Sequence, residues 1–122
     1  MAGSVSSNYS AQGEVWETIS VFTFASGDTA EVKENLPVIR KSMGILQKII
    51  VKCSGASGAS VTATVAIDDN SDNEIFSVDS LAESTTFKYN VSEPIAGVMD
   101  IGVTPSTDPL SAYTVTVYLR GI

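Results

Sequence analysis

Apolar and polar side chains alternate along most of this chain, and the period is two rather than 3.6. The clearest case is residues 61–67, where Val61, Ala63, Val65 and Ile67 alternate with Thr62, Thr64 and Ala66, the pattern of a half-buried strand. Tyr113, Val115, Val117 and Leu119 alternate with Thr114, Thr116 and Tyr118 in the same way. Phe87, Tyr89 and Val91 alternate with Thr86, Lys88 and Asn90, and Met99, Ile101 and Val103 alternate with Val98, Asp100 and Gly102. Ile45, Ile49, Val51 and Cys53 stand against Lys48 and Lys52, and Ile75 to Val78 is a short apolar segment between acidic loops. Residues 15–24 are rich in β-branched and aromatic residues and end at Ser26-Gly27-Asp28, a turn signal. In residues 29–41, Pro37 forbids a helix interior, so an edge strand ending near Ile39 is expected.

About eight short strands follow, separated by Gly, Ser, Asn, Asp and Pro clusters, with no amphipathic helical window of useful length. The expected fold class is all-β: a two-sheet antiparallel sandwich, with a jelly roll favoured by the strand number. Residues 14–122 form the sandwich in this reading. Residues 1–13 form an extended N-terminal arm, because Val5, Tyr9 and Met1 offer little to bury against the roughly 1–2 kcal/mol of backbone entropy lost per ordered residue. A chain beginning near Glu14 is then expected to keep its stability within about 1 kcal/mol and to lose partner affinity.

The chain's 122 residues, 43% hydrophobic and 17% charged, suit one folded domain with one core. A formal charge of −7 with seven scattered basic residues opposes nucleic acid as a partner. The longest aliphatic run, Ile49-Ile50-Val51, is too short to cross a bilayer, and the first 13 residues hold no apolar signal-peptide core. Cys53 is the only cysteine; its place in an apolar strand suits a buried, inert thiol and a chain assembled in a reducing cytoplasm.

The absence of histidine removes the Ser-His-Asp and Cys-His arrangements along with the commonest general base and metal ligand. Ser54-Gly55-Ala56-Ser57-Gly58 lacks the spacing of a nucleophile elbow and the lysine of a phosphate loop, and reads as a flexible turn. Asp68, Asn70 and Asp72 alternate as calcium ligands do, but Asn73 stands where the sharp turn needs Gly, and Asp79 where Glu closes the loop. A solvated acidic hairpin loop that deters edge pairing is the simpler reading, so no metal or other cofactor is expected. Asn8 and Asn90 begin glycosylation patterns that matter only in a secreted eukaryotic chain.

Across residues 48–122 the chain resembles the small β-sandwich decoration, or cement, proteins that coat tailed-bacteriophage capsids. The likeness lies in the strand-turn-strand unit at residues 49–65, in Glu93-Pro94-Ile95-Ala96-Gly97, in Val103-Thr104-Pro105-Ser106 and in the final Thr-Val-Thr-Val-Tyr-Leu strand. It implies a non-enzymatic virion protein, assembled in the host cytoplasm, that sits on the capsid surface as a dimer or trimer and bridges major capsid proteins. The arm and the loops near residues 54–60 and 104–111 are then the expected contacts. Val5, Tyr9, Trp16, Ser57, Pro105 and Pro109 are the candidate partner-binding residues, although Trp16 fits a core position equally well. The alternative is a carbohydrate- or receptor-binding sandwich of a phage tail or fibre, with Tyr113 or Tyr118 stacking on a sugar. An enzyme working by carboxylates alone is the third.

Overall fold

The computed structural model describes residues 3–12, 15–36, 44–57, 60–69, 71–95 and 98–122, and β-strands account for most of them. In chain order these are β1 (Ser4–Gln12), β2 (Val15–Phe24), β3 (Val32–Leu36), β4 (Ile45–Cys53), β5 (Ala63–Asp68), β6 (Glu74–Leu81), β7 (Thr85–Pro94), β8 (Met99–Pro105) and β9 (Tyr113–Gly121). They pair as a five-stranded sheet, β1-β2-β9-β4-β7, and a four-stranded sheet, β3-β8-β5-β6, with every pair antiparallel. The chain changes sheet at each connection from β2 onward except the β5–β6 hairpin. With β1 set aside, β2-β9-β4-β7 faces β3-β8-β5-β6, the strand arrangement of a jelly roll.

The alternation read in the sequence is the inner and outer face of each strand. Phe22 and Phe24 of β2, Val65 and Ile67 of β5, Ile101 and Val103 of β8, and Tyr113, Val115, Val117 and Leu119 of β9 meet in one buried cluster between the sheets. Trp16 lies flat across Gly121, its cross-strand neighbour, and its indole N–H donates to the Ile122 carbonyl at 3.3 Å. A side chain at 121 would run into the indole and the Ile45 carbonyl, so glycine is required there for close approach rather than for flexibility.

Two expectations change. Residues 4–12, expected as a free arm, are β1, paired with β2 from Ser4 opposite Thr23 to Gln12 opposite Val15. Their polar composition hides a period of two: Val5, Ser7 and Tyr9 face inward, and Ser4, Ser6, Asn8 and Ser10 face solvent. The ladder hydrogen bonds, the packing of Val5 and Tyr9 on the core, and Ser7 Oγ bonding Ser20 Oγ and Glu34 at 2.8 Å each offset the ordering entropy without an external partner. The strand count among the described residues is nine for the same reason. The edge strand expected to end near Ile39 is β3, which ends at Leu36; Ile39 itself lies outside the described residues.

Candidate functional site

The winding brings four sheet-to-sheet connections, residues 25–31, 54–62, 82–84 and 106–112, to the same end of the sandwich. Strand pairing delivers them there, since Phe24 lies opposite Tyr113, Cys53 opposite Thr85, and Ala63 between Pro105 and Leu81. These loops are short of apolar residues, and side-chain oxygens bonding to backbone N–H groups of neighbouring loops hold them instead. Asp108 Oδ1 accepts from Gly27 N–H at 2.8 Å and from Leu110 N–H at 2.9 Å. Glu83 Oε1 accepts from Ala56 N–H at 2.7 Å, and Ser111 Oγ accepts from Ser57 N–H at 2.9 Å. Ser54 Oγ accepts from Thr114 N–H, and Ser106 Oγ from Thr62 N–H, each at 2.9 Å. All four connections are thereby tied to a neighbouring loop or strand.

Leu110 stands at the tip of this network. It is 58% exposed, the most exposed large hydrophobic side chain among the described residues, and its backbone is left-handed with φ of 60°. A bulky residue in that region is strained by about 1–3 kcal/mol and persists only where its surroundings fix it. Here Pro109 is buried on one side and Asp108 holds the Leu110 N–H. The two backbone N–H donors also hold the Asp108 carboxyl below the usual carboxylate range. Beneath the loops, burial pushes the Cys53 thiol up, which is the state of an unreactive cysteine. Burial first, and then the neighbouring Cys53, raise the Tyr113 phenol well above its ordinary value.

Of the candidate partner-binding residues, Ser57 is exposed within this end, Pro105 and Pro109 are buried beneath it, and Val5 is half-buried on β1 nearby. Tyr9 lies half-buried further along β1 and packs on the core. Trp16 is fully buried near the opposite end, so it is a core residue and not a surface anchor. Tyr113 is fully buried and has no face to offer a sugar. Tyr118 is half-exposed on the outer face of the five-stranded sheet, where it lines a shallow depression with Ile50, Lys52, Thr86, Lys88 and Arg120.

The acidic loop lies at the other end of the sandwich. Asp69 closes it as a turn, accepting from Ser71 N–H at 2.8 Å and Asn73 N–H at 2.9 Å, and these bonds lower its carboxyl below the usual range. Asn70 lies outside the described residues, and among those described no three His, Cys, Asp or Glu side chains are placed to hold a metal.

No family model matches the chain, and no curated protein matches it in sequence. Its fold is nevertheless a known one. A structure from Bacillus endospore appendages, described as a family of disulfide-linked pili, superimposes with a TM-score of 0.51 at 9% identity, covering 98% of this chain and 89% of that one. The carbohydrate-binding module TmCBM61, solved with β-1,4-galactotriose, gives 0.48 at 15% identity over 97% and 84% of the two chains. The Yersinia pseudotuberculosis-derived mitogen gives 0.45 at 9% identity over 96% and 85%. At these identities the likeness is that of a generic β-sandwich, and the decoration-protein family is not identified by it.

The sequence pointed to the 104–111 loop as a contact but did not single out Leu110 or Asp108 within it. The signal was present: in Asp108-Pro109-Leu110-Ser111 one aliphatic residue interrupts a polar turn and belongs to no period-two run. Its left-handed backbone had no signal at all, because that conformation usually calls for Gly or Asn.

Proposed function

We propose that this chain is a structural, non-catalytic protein that docks by its loop end on the outer surface of a phage capsid shell and bridges major capsid proteins. The observation that carries the reading is Leu110, an aliphatic side chain held out to solvent on a strained backbone by loops bonded to one another. Such a residue costs stability in the free protein. It is suited to fill a pocket on a partner, with Ser57 and the surrounding polar loop groups as a hydrated rim. Pre-ordered loops lose little further entropy on docking, and repetition over a symmetric shell multiplies a modest contact into avidity. The sequence resemblance to capsid decoration proteins supplies the partner. Co-sedimentation with undecorated capsid shells tests this: the full chain should pellet with the shells, and failure to do so over a wide salt range would reject the assignment.

A second reading, carbohydrate binding, is favoured by one feature, the depression in which Tyr118 lies among Lys52, Lys88 and Arg120. An aromatic ring beside cationic groups suits an acidic sugar. A glycan-array signal abolished by Tyr118→Ala would promote this reading above the first.

A further inference from the structure

The outer faces of the two sheets differ in charge although the chain as a whole is acidic. Cross-strand register places three rows side by side on the five-stranded sheet. Ser10, Glu17, Arg120, Lys48 and Asn90 form one; Asn8, Ile19, Tyr118, Ile50 and Lys88 the next; and Ser6, Val21, Thr116, Lys52 and Thr86 the third. Four of the five basic residues that the structure describes lie on this face, and among the described residues Glu17, which pairs with Arg120, is the one acid there. Ile19 and Tyr118 lie half-exposed beside them, Ile50 is nearly covered, and the cations cluster on β9, β4 and β7, so the face has a basic half bordered by a small apolar patch.

The four-stranded sheet is the converse. Asn35, Asp100, Asp68 and Glu74 form one cross-strand row on its outer face, which sets three carboxylates directly beside one another. The Glu31 side chain lies over Gly102 on the same face, and Lys33 is the one cation there among the described residues. Like charges directly opposite in a sheet destabilise it. Lys48 opposite Arg120 repeats the cost on the other sheet. Neither arrangement serves the isolated fold, and each is relieved by the other.

We propose that the outer face of the five-stranded sheet is an interface for a second copy of this chain, which presents the acidic face of its four-stranded sheet. The contact joins different surfaces and is therefore head-to-tail, leaving one basic and one acidic face free at the ends unless a ring closes. Five strands about 4.8 Å apart and about 30 Å long give a footprint of roughly 700 Å², close to what one partner contributes to a standard interface. The smaller four-stranded face limits the overlap, so the association is weak and depends on low salt. It does not use the loop end and stands independently of the capsid reading.

Sedimentation velocity of the full chain tests it. At about 20 mM salt the average sedimentation coefficient should rise with protein concentration, and at about 500 mM it should return to the monomer value. Lys88→Glu, an exposed substitution on the edge strand β7, should weaken association about tenfold, and K52E/K88E should abolish it. D68K/D100K should also be monomeric alone, yet an equimolar mixture of the two double variants should associate again, because each keeps the face the other lacks. Circular dichroism identifies any variant that has lost its fold, in which case Lys88→Glu alone decides. A monomer at low salt, unimpaired association of Lys88→Glu, or two folded double variants that fail to associate when mixed would overturn the proposal.

Discussion

The interior of this sandwich and its loop end are held by different forces. Between the sheets, Trp16, Phe22, Ile67, Ile101 and Leu119 are buried and stabilise by apolar burial, each worth about 1.5–3 kcal/mol. At the loop end Val61 and Pro109 are the buried apolar anchors among the described loop residues, and the rest of the order comes from Asp108, Glu83, Ser54, Ser106 and Ser111 accepting from backbone N–H groups. The first region sets stability and the second presents a surface. Substitutions should therefore separate the two, with core changes altering unfolding and loop-end changes altering binding.

The largest effect is expected in the core. Trp16→Ala removes the ring that covers Gly121 and should cost about 3–5 kcal/mol in urea unfolding, while whatever remains folded docks normally. Gly121→Ala should destabilise as well, because its Cβ has no room beside the indole and the Ile45 carbonyl. Next comes deletion of β1. A chain starting at residue 13 loses the packing of Val5 and Tyr9 and exposes the β2 edge, so it should lose about 2 kcal/mol or more; a loss under 1 kcal/mol would restore the arm to a passive segment.

Acid should loosen the loop end before the core. The Asp108 carboxyl lies below its ordinary value, so the order it confers is fully present above the unfolded carboxylate value, near pH 4, and is lost as pH falls through the lowered folded value. Amide exchange at Gly27 and Leu110 should be unchanged between pH 7 and 5, after correction for intrinsic rates, and should accelerate below about pH 4. Asp108→Asn should remove most of that dependence at these two amides. The smallest effect is expected from Asp69→Asn, which keeps an acceptor for the loop N–H groups and should leave the melting temperature nearly unchanged.

Strand positions were legible where the inward face is aliphatic, as where Ala63, Val65 and Ile67 alternate with Thr64 and Ala66; Val61, expected in the same strand, is buried in the connection just before it. β1 escaped because its inward positions include Ser7, whose burial rests on partners distant in sequence, Ser20 and Glu34. Trp16 was legible as core or anchor and no further, since its partner Gly121 is carried by the last strand. Two proposed surfaces were only partly legible, or not legible, for one reason. Leu110 and the charge rows of the outer faces arise from register and winding, which bring together residues that lie far apart along the chain.

Leu110→Asn separates docking from folding, because Asn tolerates the left-handed backbone and removes only the apolar tip through which the loop end is proposed to dock. Co-sedimentation with undecorated capsid shells should show affinity at least about tenfold below that of the parent chain, at an unchanged or slightly higher melting temperature. Undiminished co-sedimentation of Leu110→Asn would rule out Leu110 as the docking residue.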